Sequence, residues 1–167
     1  LFCYIIYIKS NNNDFINFEY MFIIKNITIY CLATLYIVIG IKHFTETEFF
    51  IKIIPSYLNY KKELVIISGV IEIILGFLLF FKFTRKIASW GIILLLLAVF
   101  PANIYLYTSD FARESLSISK TQALVRMPFQ IPLIVIAYWH SQQKSSKKFS
   151  IICCILFFPT IFYFISI

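Results

Sequence analysis

The chain has 167 residues, of which 60% are apolar and only 14% are charged. Soluble domains contain roughly half apolar and about a quarter charged residues, so this composition excludes an ordinary water-soluble domain. The net charge of +7 would suit a nucleic-acid-binding protein, but the basic residues occur in short clusters beside apolar runs instead of on one basic face. We therefore expect an integral membrane protein whose partner is the lipid bilayer, with no nucleic-acid partner.

Long apolar runs follow one another along the chain from the first methionine, Met21. A helix needs about 20 apolar residues to cross the roughly 30 Å hydrocarbon core of a bilayer. Runs of this size predict an all-α membrane protein with a four-helix transmembrane bundle. Its predicted spans are residues 22–41, 64–81, 87–107 and 122–140.

The regions outside these four spans divide the chain further. Residues 1–20 form a predicted N-terminal extension, because the first methionine, Met21, is a candidate start of translation. The apolar stretch 1–8 is not expected to be a signal peptide, since it lacks a basic lead and a small-residue cleavage site. Residues 21–141 form the predicted four-helix membrane domain. Residues 142–167 comprise a basic linker and the uncharged run 149–167, which is either a fifth span or a helix lying against the membrane.

The segment FFIKIIPSYLNY, after the first span, mixes aromatic and aliphatic residues with Lys52 and Pro55. Such amphipathic aromatic segments favour the boundary between water and lipid. We expect a short interfacial segment on the outer face.

Basic residues predict the orientation of the bundle. Lys25, the group from Lys82 to Lys86, and the group from Lys144 to Lys148 all fall at one end of the predicted spans. Lys and Arg are retained on the cytoplasmic side of membrane proteins. We therefore expect a cytoplasmic N-terminus.

Glu72 lies near the middle of the second span, where an ionised carboxylate costs about 2.5 to 3.5 kcal/mol. Gly69, Glu72 and Gly76 fall on one helix face, which we expect to point into the bundle. A helix-locking hydrogen bond and a proton-handling or ligand-binding role both require this direction, and both stay open.

The third and fourth spans carry the other polar candidates. Arg126 and Gln130 share a helix face, and Arg126 either reaches Glu72 or extends to the outer headgroups. Pro101 frees a backbone carbonyl one turn earlier, which Asn103 could satisfy, either as a simple kink or as part of a pocket with Arg126.

His43 ends the first span, where it is either an amphipathic interfacial residue or a proton-exchanging group. The second histidine, His140, is expected at the opposite membrane face. We therefore expect no metal site. The predicted ligand-binding residues are His43, Glu72, Asn103, Arg126 and Gln130.

Six landmarks occur in order between Gly40 and Trp139: GIKHF, IIPSYL, LVIISGVIEIILGFLLF, TRKIASWG, AVFPANIY and VRMPFQIPL. In their order and spacing they resemble the DoxX-like family of small bacterial membrane proteins. The resemblance implies a four-helix bundle, and better-known relatives belong to quinone-linked membrane oxidoreductases. It adds Arg85 to the candidate residues.

The resemblance implies a subunit of a quinone-linked oxidoreductase in the bacterial cytoplasmic membrane. Because the chain has no redox thiol pair of its own, electron transfer would need either a bound quinone or a membrane or soluble oxidoreductase partner. The alternative is a non-enzymatic membrane scaffold or assembly protein whose polar residues fix helix packing. A small transporter is disfavoured, since the sequence shows no inverted repeats. Whether the chain is an enzyme stays open.

Overall fold

The computed structural model describes the backbone of residues 14–166 and the side chains of residues 21–164. Within that range the chain is all-helical, as its composition predicts. In a bilayer a helix satisfies its backbone polar groups internally, which favours this secondary structure for apolar runs. The helices are α1 Asp14–Thr45, α2 Thr47–Ile53, α3 Lys61–Leu79, α4 Arg85–Thr108, α5 Asp110–Ser115, α6 Lys120–Ser141 and α7 Lys147–Ser166.

Three of these helices are long and apolar enough to cross a membrane: Met21–Thr45 within α1, Arg85–Thr108, which is α4, and Lys147–Phe164 within α7. The first two were among the four predicted spans, and the third is the fifth run. The predicted spans in α3 and α6 are not among these candidates. α3 contains several charged residues, three of them in its first turn. Arg126, Gln130 and two prolines lower the hydropathy of α6.

The five long helices form a closed ring. Contacts join α1 to α3, α3 to α4, α4 to α6, α6 to α7, and α7 back to α1. All five contribute to one buried core, which includes Leu32, Leu75, Ile92, Ile136 and Phe157. The C-terminal apolar run is therefore part of the bundle.

The outer surface of the ring is also apolar. Large side chains on four helices are more than half exposed, including Phe77 (57%), Leu94 (65%), Ile131 (64%) and Phe162 (75%). A helix that is apolar on all its faces is typical of a lipid environment or of the centre of a large protein. The surface is thus consistent with a membrane protein.

A close backbone contact joins antiparallel helices α1 and α3. A Cβ on Gly40 would lie 2.8 Å from the carbonyl oxygen of Gly69, and a Cβ on Gly69 would lie 2.9 Å from that of Gly40. One heptad further along α3, a Cβ on Gly76 would lie 2.8 Å from the oxygen of Ala33. Small residues at helix interfaces let backbones approach in this way.

The short elements lie at the two ends of the ring. We call the end where α1 stops and α3 begins the α2 end, because α2 lies there and contacts α1, α3, α4 and α5. The opposite end carries the basic clusters and is called the basic end. Here Lys25 Nζ donates to the carbonyl of Gln142 at 2.6 Å, and Arg85 Nη1 donates to Asn26 Oδ1 at 2.9 Å.

Gly69→Ala should lower the free energy of unfolding by about 1 to 3 kcal/mol, because the new Cβ would lie 2.6 Å from His43 Cβ and the helices must separate. The matched control is Gly91→Ala, whose Cβ would meet only the mobile end of Leu75. Both changes gain the same helix propensity. Equilibrium unfolding in mixed micelles measures the difference, and equal effects would contradict a backbone contact at Gly69.

Candidate functional site

A cavity of about 530 Å³ occupies the ring at the α2 end. Its walls come from all five long helices, and its cover comes from α2 and the following segment, with Phe50, Pro55 and Leu58 among the lining residues. The predicted interfacial segment therefore covers a cavity. Most of the lining side chains are aliphatic or aromatic, as is usual for sites that bind small amphipathic molecules.

The structure brings all five predicted ligand-binding residues to this one cavity. They come from four helices and are His43, Glu72, Asn103, Arg126 and Gln130. Arg85, the candidate added by the family resemblance, lies at the basic end, where its Nε donates to the carbonyl of Leu79 at 3.1 Å. It is not part of the cavity.

His43 and Glu72 form a polar contact between two helices of the cavity wall, with 3.1 Å between Nδ1 and Oε2. Both residues are buried, with 6% and 8% of their surfaces exposed. His43 Nδ1 also lies 2.9 Å from the carbonyl oxygen of Ile39. A carbonyl can only accept, so the Nδ1 hydrogen points there, and Glu72 Oε2 is left without a hydrogen-bond donor.

The contact between α1 and α3 explains why these two side chains meet. His43 follows Gly40 by three residues, and Glu72 follows Gly69 by three. Since the glycines bring the two backbones together, the next turn of each helix faces the other. His43 is therefore a buried residue of the site and not a lone interfacial histidine.

The expected ion pair between Arg126 and Glu72 is absent from the described side chains, where Glu72 contacts His43 instead. Arg126 Nη1 is buried and has no hydrogen-bond partner. Next to it on α6, Phe129 stacks on Tyr163 of α7, a helix that the four-span prediction left out of the domain, with 4.1 Å between ring centroids. Arg126 thus does not pair with Glu72, and its Nη1 does not extend to the surface.

Gln130, not Asn103, donates a hydrogen bond to α4 in the turns before Pro101. Its Nε2 donates to the carbonyl of Leu96 at 3.3 Å, across the interface between α6 and α4. The carbonyl that Pro101 leaves without its helical donor is that of Leu97, four residues earlier. Asn103 is half-buried and lines the cavity, so its pocket interpretation has a cavity to support it.

Sequence reasoning missed several residues that line the cavity. Tyr36 and Ser68 could have been found, since Tyr36 lies seven residues before His43 and Ser68 four before Glu72, each on the same helix face. Phe164 of α7 could not, because no local pattern indicates that α7 closes the ring.

The cavity reaches the surface between α3 and α4. Its lining includes exposed apolar side chains on the α3 side, among them Leu64, Ile67 and Ile71, together with exposed Ala98 and Pro101 on α4. An apolar mouth at the side of the ring suits a molecule that enters from an apolar phase.

The other buried histidine, His140, lies at the basic end, where its Nε2 is 3.0 Å from Thr28 Oγ1. Among the described residues, no three His, Cys, Asp or Glu side chains lie together as metal ligands.

Comparison with protein-family models finds one match, over residues 32–141, to a family described as a domain of unknown function, DUF8561. The chain belongs to this family. The matched range includes all five predicted site residues and ends with α6, so α7 lies outside it. Comparisons with curated proteins and with solved structures found no match.

Phe50→Ala should lower the free energy of unfolding by about 2 kcal/mol. The ring of Phe50 stacks on that of His43 with 3.7 Å between centroids and helps hold the cover on the cavity. The control is Phe49→Ala, because Phe49 touches Phe50 only edge-on and does not line the cavity. Unfolding in mixed micelles measures both, and an equal loss would show that the stacking does not hold the cover.

Proposed function

We propose that the chain is a multi-pass protein of the bacterial cytoplasmic membrane that binds a quinone-like amphipathic molecule between its helices. The observation that supports this is the cavity at the α2 end, which gathers the five predicted polar residues within apolar walls. Its volume of about 530 Å³ lies in the usual range of roughly 300 to 1,000 Å³ for small-molecule sites.

The proposal includes α3 and α6 as transmembrane helices beside α1, α4 and α7. They alternate in direction with the candidate spans and contribute to the same core. Their charged and polar residues include Glu72, Arg126 and Gln130, which line the cavity instead of facing lipid. Intramembrane polar residues of this kind usually face the bundle interior.

The quinone-linked role also rests on the resemblance to the DoxX-like family. In that role the chain is the membrane subunit that holds the quinone, and a membrane or soluble oxidoreductase partner supplies the electrons. The bundle offers binding, orientation and a water-poor environment, and the reaction belongs to the quinone and the partner.

The scaffold alternative requires polar side chains that lock helices together. The interhelical hydrogen bond from Gln130 to Leu96 fits that role. Glu72 fits it less well, because its Oε2 is buried without a hydrogen bond and its polar contact is the 3.1 Å approach to His43 Nδ1. Replacing the Glu72 carboxyl group therefore separates the two functions.

Glu72→Gln should preserve the yield of folded protein and weaken binding of a short-chain benzoquinone, tested in its oxidised and reduced forms, by about tenfold or more. The reason is that Glu72 contacts the cavity but makes no helix-locking bond. Binding is measured as a rise in melting temperature and by titration. Glu63→Gln, an exposed change on the same helix, should match wild type.

Loss of folded Glu72→Gln protein, together with no response of wild type to either form, would instead support the scaffold function.

The topology can be tested with reporter fusions. Five spans and a cytoplasmic N-terminus place a reporter fused after Gln143 in the cytoplasm and one fused after Ile167 outside. Alkaline phosphatase should therefore be active only in the second fusion, and a fluorescent protein should fold only in the first. The same compartment for both fusions would show that α7 does not cross.

A further inference from the structure

The cavity holds most of the buried polar atoms that lack a partner. Six such atoms occur among the described side chains, and four of them belong to residues that line the cavity: Ser68 Oγ, Glu72 Oε2, Arg126 Nη1 and Gln130 Oε1. Buried polar atoms are nearly always paired in folded proteins, so a cluster of exceptions needs an explanation such as a ligand.

The hydrogen-bonding role of one of these atoms, Gln130 Oε1, can be assigned. The amide nitrogen of Gln130 donates to the Leu96 carbonyl, which can only accept, so the orientation of the amide follows from this bond. Gln130 Oε1 is then a pure acceptor. Only 4% of the surface of Gln130 is exposed, so bulk water cannot donate a hydrogen bond to this oxygen.

Arg126 supplies the complementary group. Its Nη1 is a pure donor, and Arg126 lies four residues before Gln130 on α6. Side chains at this spacing are neighbours on one helix face. One unpaired donor and one unpaired acceptor thus lie on the same helix face and line the same cavity.

A hydroxyl group matches this pair, because its oxygen accepts one hydrogen bond and its hydrogen donates another. An oxidised quinone offers only carbonyl acceptors and would leave Gln130 Oε1 unpaired. Building on the proposed function, we infer that the cavity selects the hydroxyl-bearing, reduced form: a phenol or hydroquinone head bound between Arg126 and Gln130, with its apolar tail in the mouth between α3 and α4.

The test compares three matched probes on the purified wild-type protein under anaerobic conditions: a decyl-substituted benzoquinone, its hydroquinone, and the dimethyl ether of that hydroquinone. The hydroquinone should bind about tenfold or more tightly than either of the others, because only it can donate a hydrogen bond. Isothermal titration gives the three Kd values.

Gln130→Leu should bring the Kd of the hydroquinone to within about twofold of that of the dimethyl ether. Gln143→Leu, an exposed change near the basic end, should leave the tenfold preference intact. The wild-type comparison decides the inference even if Gln130→Leu fails to fold.

Equal and saturable binding of all three probes would overturn the inference and leave the proposed function standing; a water molecule bridging Arg126 and Gln130 would give this result. Binding of none of the probes would overturn both.

Discussion

The close backbone contact between α1 and α3 is the constraint on which the rest of the site depends. Gly40 and Gly69 face each other across an interface in which neither backbone has room for a methyl group. This contact fixes which turn of α1 lies opposite which turn of α3, and so places His43 Nδ1 within 3.1 Å of Glu72 Oε2. It also brings α2, which follows α1 directly, over the cavity, where Phe50 stacks on His43. Packing of small residues, which requires no polar group, therefore determines where the polar groups meet.

Ring closure by α7 is the second determinant of the site. The family match ends at residue 141, yet α7 contacts both α6 and α1 and contributes Phe164 to the cavity lining. Tyr163 of this helix also stacks on Phe129 of α6. The polar face of α6 is consequently enclosed by a segment outside the matched domain. α7 therefore contributes to the shape of the site beside Arg126.

The helical class and the identity of the five polar candidates could be predicted from the sequence, because buried polar residues in apolar runs are conspicuous. Which of these residues contact one another could not be predicted. Depth along a helix placed Arg126 within reach of Glu72, but it carries no information on which helices are neighbours in the ring. The glycines contained that information for α1 and α3, since Gly40 and Gly69 each precede a polar residue by three positions. Nothing local indicated that Gln130 would bond to Leu96 or that α7 would complete the ring.

Charged and polar residues keep α3 and α6 out of the candidate spans, but for two different reasons. α3 is on average as apolar as the candidate spans, and it falls short because the charged residues of its first turn add to Glu72. α6 is less apolar, and Arg126 and Gln130, which lower its hydropathy, both line the cavity. Hydropathy treats every residue as though it faced lipid, whereas a residue in the bundle interior is surrounded by protein. For α6, the low hydropathy and the position of the cavity therefore have a common cause.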